Sequence, residues 1–514
     1  MSRLNNSVRN VTVAVIGQIF ILLITLIARM VFVKYLSIEY LGINGLFGNI
    51  MSFLALADLG IGGAMIFSLY KPIAENDRSK IVVLMQLYKK IYMYIGLTVL
   101  ILGLSITPFL KIIIKDMPEI DNIYLIFVLY VLNSASTYLF TYKRSLIIAN
   151  QKEYISTIFM YSRLFIVNFS QIIILIYTQN FILFLSIQFI FNFIENILIS
   201  YVANKMYPFL KTKTTDKLDK FTQDSITKNI KALMIHKIGT VVVFSTDNII
   251  LSSHIGVGIV GIYSNYLLII NAVNTLIGKF FSAITASVGN LSTLEDEHII
   301  NARFLSVNFF GFWIYGFCSI SLFVLLNPFI ELWLGKEYLF EVTVILVISI
   351  NFFVTGMRQA TLTFKTAMGL FWYDRYKPLY EAIVNLIVSI VLVQFLGIIG
   401  VLLGTVVSSL FICSWIEPYV LYKYGLKAKV GEYFKKYAIY TLVTIVAAYI
   451  TMVIASFVTN ISYLGFLMKF FICLIVPNLV FVICFFRTKE FMYLSSLGLR
   501  IIGGKFNSKL SRSQ

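Results

Sequence analysis

The chain reads as an all-α integral membrane protein with about 14 transmembrane helices, and three observations lead there. Of its 514 residues, 59% are hydrophobic and only 13% charged, with a mean hydropathy of +0.87. A soluble domain carries about 25% charged residues, so this chain lacks the polar surface needed to face water. Apolar runs of span length follow one another with short gaps, and Lys and Arg concentrate in alternate gaps.

A run of roughly 20 apolar residues crosses a hydrocarbon core of about 30 Å as a helix. Such runs fall at 10–35, 42–70, 82–107, 122–142, 154–178, 181–204, 229–252, 258–289, 300–326, 339–362, 378–396, 399–422, 437–458 and 463–486. The first lacks the small-residue cleavage signal of a secretory leader and is read as a retained span. Positive residues favour cytoplasmic loops. With the amino-terminus inside, only Lys34, Lys111, Lys115 and Lys336 among the 42 Lys and Arg face outward, and Arg29, Arg163 and Lys469 fall within spans. Both termini are therefore expected in the cytoplasm of a bacterial plasma membrane protein. The net charge of +18 is spread over these short gaps. It is not gathered with aromatics on a soluble face, so no nucleic-acid partner is expected. Tyrosines (31) and the 16% aromatic content suit two membrane interfaces.

The longest hydrophilic gap, Tyr207–Lys228, divides six spans from the next six and reads as a solvated cytoplasmic linker, with contact to anionic lipid headgroups as the alternative. A faint duplication crosses it. Leu41-Gly42-Ile43 matches Val260-Gly261-Ile262 at an offset of 219, and Thr107-Pro108-Phe109-Leu110 matches Asn327-Pro328-Phe329-Ile330 at 220. An offset of six spans preserves orientation, so two parallel bundles are expected rather than inverted repeats. The expected organisation is an amino-terminal six-helix lobe (1–206), a linker (207–228), a second six-helix lobe (229–425), and two additional helices with a tail (426–514).

An ionised side chain near the bilayer centre costs at least about 2.5–3.5 kcal/mol on insertion scales, so it faces a cavity or a partner. Arg29, Asp58, Arg163, Glu195, Asp247 and Arg358 lie within or at the end of spans. Asp58 sits in Ala57-Asp58-Leu59-Gly60-Ile61-Gly62-Gly63, where small residues permit close helix approach; it could pair with Arg29 or hold a coupling cation. Asn133, Asn192, Asn265, Asn271 and Asn274 add polar groups, with Asn271 and Asn274 on one face of their helix. For these, helix–helix hydrogen bonding is the commoner role and substrate contact the alternative. Arg29, Asp58, Arg163, Asp247, Asn271, Asn274 and Arg358 are the candidate cavity residues. Whether Arg163 and Glu195 face that cavity or pair within their lobe stays open.

The absences narrow the chemistry. No GxxxxGK[ST] nucleotide loop occurs, the four cysteines show no zinc-ligand spacing, and no outer gap is long enough for a catalytic domain. No metal and no cofactor are expected. Only 8 prolines occur, most at span ends, which disfavours a fold built on paired broken helices.

Arg29 late in span 1, Tyr40-Leu-Gly-Ile-Asn-Gly45 and Ala57-Asp-Leu-Gly-Ile-Gly62 resemble the Wzx-type oligosaccharide flippases of the multidrug/oligosaccharidyl-lipid/polysaccharide exporter (MOP) superfamily. The layout agrees over nearly the whole chain. The resemblance implies a transporter rather than an enzyme. Its substrate would be an undecaprenyl-pyrophosphate-linked oligosaccharide repeat unit, moved from inner to outer leaflet for capsule or another surface polysaccharide. A polysaccharide polymerase and assembly proteins would be partners. Arg29, with Arg163 and Arg358, would meet the pyrophosphate or sugar acids, since guanidinium geometry suits phosphate. Asp58 or Asp247 would carry a coupling H+ or Na+. The alternatives are a teichoic-acid or lipid II precursor flippase, a cation-coupled drug exporter and, in a different class, a membrane polysaccharide polymerase.

Overall fold

A computed structural model describes residues 3–58, 61–114, 117–212, 246–291, 297–460 and 462–496. These residues are helical nearly throughout, with no strand among them. Eleven helices are long and apolar enough to cross a membrane, or twelve if the bent pair Ile123–Thr137 and Thr141–Ala149 is one span. The chain is a multi-pass membrane protein. In lipid a helix satisfies its own backbone groups, which is why apolar runs of this length leave no other local choice.

Three of the 14 expected spans are not among the eleven single helices. Most of the run 229–252 lies outside the described residues. The run 42–70 is not one helix: α2 (Ile38–Leu54) ends in a 3₁₀ turn at Ala55–Asp58, and α3 (Ile61–Ala74) starts afresh. The break needs no proline. Aspartate is a weak helix former, and Gly62 and Gly63 lower the helix propensity of the residues that follow. The fourth run is likewise bent, by 42° between α6 (Ile123–Thr137) and α7 (Thr141–Ala149), again without proline.

By internal contacts the chain forms two compact units, residues 1–265 and 266–514. In unit 1, α1 (Arg3–Tyr35) runs along α8 (Glu153–Thr178), which packs on α9 (Phe181–Met206). α6 lies between α9 and α4 (Arg78–Ile106), which is followed by the short α5 (Leu110–Ile113). Edge-on aromatic contacts fill the core: Phe47 meets Phe127 at 4.9 Å, and Phe32 meets Phe184 at 5.4 Å. Residues 246–254, the described part of helix α10, and the first turns of α11 (Val257–Leu291) also belong to this unit. Where α11 meets α2, glycine is required on both sides. A Cβ on Gly261 would stand 2.8 Å from the Ile38 carbonyl oxygen and 3.0 Å from the Gly42 nitrogen, and one on Gly42 would strike the Val257 carbonyl. The two glycines matched in the sequence duplication are thus in contact.

Unit 2 is organised on α12 (Glu297–Leu334), whose 38 residues exceed what a bilayer core requires. α13 (Val342–Met357), α14 (Gln359–Ala367), α18 (Gly431–Ser456) and α19 (Tyr463–Phe485) all pack on it. The last two helices are fixed by aromatic packing: Phe312 stacks on Tyr440 at 4.4 Å and touches Phe481 at 4.9 Å. Trp313 Nε1 donates to Asn478 Oδ1 at 2.7 Å. Packing and hydrogen bonds of this sort hold helices together where lipid removes the hydrophobic drive. α15 (Lys377–Leu396) lies against α16 (Ile398–Ser408), with Gly400 and Gly404 letting the backbones approach. α16 continues through a π segment (Ser409–Cys413), α17 (Ser414–Val420) and a second π segment (Leu421–Leu426).

Candidate functional site

Arg29 sits half-buried near the end of the membrane-spanning part of α1. Its Nη1 donates to the Ser264 hydroxyl at 3.1 Å, and Tyr130 lies within electrostatic reach. Tyr130 in turn donates to Asn44 Oδ1 on α2. Every partner is neutral. Among the described residues no carboxylate pairs with Arg29, so a positive charge stands within a span compensated only by hydroxyls.

The other arginines of unit 1 differ. Glu195, 4% exposed on α9, accepts from Arg144 Nη2 at 2.7 Å and from Arg163 Nε at 2.6 Å. Arg163 and Glu195 therefore pair within unit 1. Beside them Lys143 donates to the Ser200 hydroxyl at 2.6 Å. Asn192 of α9 donates to Asn133 of α6 at 3.1 Å, a helix–helix bond. Asp58, at the break between α2 and α3, bonds the Tyr92 hydroxyl and lies near Tyr138. The pairing of Arg29 with Asp58 is not the one formed: α1 presents Arg29 to α11, while Asp58 faces α4. Asp247 is buried on α10 near Tyr263.

In unit 2, Arg358 closes a buried network. It donates from Nε to Glu417 Oε2 at 3.0 Å, from Nη2 to Glu417 Oε1 at 2.8 Å, and from Nη1 to Glu381 at 3.0 Å and Ser409 at 3.3 Å. Lys377 bridges the same two carboxylates at 2.7 and 3.1 Å. Two cations meet two anions, with Glu417 fully buried. A second buried pair, Lys365 with Asp374, lies nearby in the chain. Sequence reading placed Arg358 in the cavity set and missed Lys377, Glu381 and Glu417. The signal was available: Glu195 and Glu417 lie 222 residues apart, close to the repeat offset, and each accepts from two cations on preceding helices. The π segments flanking Glu417 aim Ser409 and Glu417 at Arg358, and no local pattern announces them.

Asn271 and Asn274 stand exposed on α11. Further along that helix, Ser282 and Thr285 face Gln359, Thr363 and Thr366 across a cavity of about 520 Å³. Hydroxyls and an amide on its wall offer hydrogen bonds to a polyhydroxylated ligand. A separate cavity of about 350 Å³, lined by Phe317, Leu325, Phe329, Phe466, Phe470 and their apolar neighbours, lies where α11, α12 and α19 meet. Among the described residues no three His, Cys, Asp or Glu side chains are grouped to hold a metal ion.

No protein-family model matches the chain, and neither does any curated protein sequence. Solved structures do match. The lipid II flippase MurJ, in an inward closed conformation, aligns over 91% of this chain and 97% of its own, with 17% identity and a TM-score of 0.65. A mutant of the Vibrio cholerae MATE transporter VcmN aligns over 82% and 99%, with 14% identity and a TM-score of 0.56. An outward-facing multidrug resistance MATE family transporter of the MOP superfamily aligns over 83% and 97%, with 13% identity and a TM-score of 0.58. The chain has the fold that these MOP transporters share.

Proposed function

We propose that this chain is an alternating-access flippase. It moves undecaprenyl-pyrophosphate-linked oligosaccharide repeat units from the inner to the outer leaflet for capsule or another surface polysaccharide. The observation that carries the proposal is Arg29, a reachable cation in a span whose protein partners are all neutral. Such a charge is costly unless an anion visits it, and a pyrophosphate headgroup supplies one. Guanidinium forks bind phosphate in two-point geometry, which Lys cannot reproduce. The polar cavity on α11 and α14 suits sugar hydroxyls, and the apolar cavity against α19 suits a prenyl chain.

In this reading the lobes are 1–206 and 229–425, with 426–514 appended, and both termini are cytoplasmic. The Gly42–Gly261 contact and the Arg29–Ser264 bond then lie toward the outer ends of their helices. They form a seal that must part when the substrate leaves outward. Asp58, held by Tyr92 at the broken span, is the candidate carrier of a coupling H+ or Na+. The membrane would hold a polymerase and assembly proteins as partners.

A purified chain in liposomes, given a fluorescent undecaprenyl-pyrophosphate-linked sugar, is expected to expose label to the opposite leaflet. Arg29→Ala is expected to reduce that transfer to the protein-free rate. Full transfer by Arg29→Ala would overturn the proposal. The second reading, lipid II transport, is favoured by the likeness to MurJ. Lipid II supplied in the same assay decides between the two substrates.

A further inference from the structure

A third cavity, of about 740 Å³, opens where the start of α12, the start of α18 and the segment after α19 converge. None of the candidate substrate residues lines it. Its wall carries four cations, Arg303, Lys436, Arg487 and Lys489, against two anions, Glu432 and Glu490. Lys436 bonds Glu490 and lies 3.6 Å from Glu432, so these three sum to one negative charge, against three positive charges on Arg303, Arg487 and Lys489. Arg303 lies over the Tyr493 ring at 4.6 Å, which orients the guanidinium without offsetting its charge. Among the described residues no carboxylate pairs with Arg303, Arg487 or Lys489. The wall therefore keeps a positive surplus that points to an anionic ligand.

The surroundings say which anion. Arg487 follows the last turn of α19 by two residues, so the cavity lies at the level where that span leaves the hydrocarbon. Beyond Lys436 on α18, Ile439 and Leu442 are exposed; before Arg487, Ile483 on α19 and Phe486 just after it are exposed. Apolar flanks thus run from the basic cavity along both helices into the bilayer. A soluble phosphate would use only the cavity, whereas a phospholipid would use cavity and flanks together. Basic pockets at the ends of transmembrane helices recognise anionic lipid headgroups in this way.

We propose that this cavity binds the phosphate-bearing headgroup of an anionic phospholipid, in the leaflet on the Lys- and Arg-rich side of the protein. The site is independent of the transported substrate. Its lipid would bridge α12 to the two appended helices.

The test is native mass spectrometry of the full chain in detergent, titrated separately with phosphatidylglycerol, phosphatidylcholine and inorganic phosphate. The wild-type chain is expected to retain one tightly bound phosphatidylglycerol, and no phosphatidylcholine at the same concentration. The Arg303→Gln, Arg487→Gln, Lys489→Gln triple variant is expected to bind that lipid about tenfold or more weakly. A control triple, Lys89→Gln, Lys90→Gln, Lys205→Gln, makes the same change in net charge in unit 1 and is expected to bind as wild type. Equal affinity in wild type and triple variant, or equal loss in the control, would overturn the site. Displacement of the lipid by an equal concentration of inorganic phosphate would assign the cavity to soluble anions instead. Should the triple variant not fold, the single variant Lys489→Gln, at an exposed side chain, gives the same comparison with a smaller loss. Equal retention of phosphatidylcholine by the wild-type chain would also overturn the proposal.

Discussion

Arg29 and Arg358 are both arginines in apolar helices, and the two units treat them differently. Arg358 meets two carboxylates and a hydroxyl inside unit 2, and Lys377 completes the balance. Arg29, in unit 1, meets the Ser264 hydroxyl and its charge stays uncompensated. Glu195 stands between these extremes, since two partly exposed arginines share one carboxylate. A saturated buried charge group holds helices in place, and removing one member strands the others. A cation with neutral partners contributes little to holding the fold, and its charge is free for a ligand. Charge partners therefore divide these arginines in a way that position within a span does not.

The contrast can be broken at its strongest point first. Glu417→Gln strands Arg358 and Lys377 beside one remaining carboxylate, and is expected to cost about 3–5 kcal/mol, read in detergent by thermal or denaturant unfolding. A melting temperature equal to wild type would show that the network is not structural. Glu195→Gln leaves two arginines that are already 26% and 19% exposed, so water offsets part of the loss. The expected cost is about 1.5–3 kcal/mol in the same measurement. Arg163→Gln leaves the Arg144–Glu195 bridge in place and is expected to cost about 1 kcal/mol. Arg29→Ala completes the series with the smallest shift in stability, under about 1 kcal/mol for one neutral hydrogen bond, together with complete loss of transport. An Arg29→Ala chain that unfolds like Glu417→Gln would place Arg29 with the structural arginines. Arg29→Lys sharpens the point: it keeps the charge but loses the fork, and is expected to transport at a reduced rate.

Much of this was legible in residues alone. Arg29 was singled out because an arginine late in an apolar run has to be explained, and the structure gives it a neutral partner, Ser264. Arg358 was singled out by the same reasoning, yet its partners lie 23 and 59 residues away on other helices. Span 2 was read as continuous because hydropathy averages over a window, which hides the low helix propensity of an aspartate and nearby glycines. The matched glycines Gly42 and Gly261 were visible as a duplication, but their contact was not.

The sequence by itself determined the environment and the helices. Apolar runs of span length can satisfy their backbones in lipid only by coiling. Only the tertiary structure decided which charges are neutralised. Coulomb energy depends on separations of a few ångströms between helices far apart in the chain, and an apolar run looks the same whether its arginine meets a carboxylate or a hydroxyl.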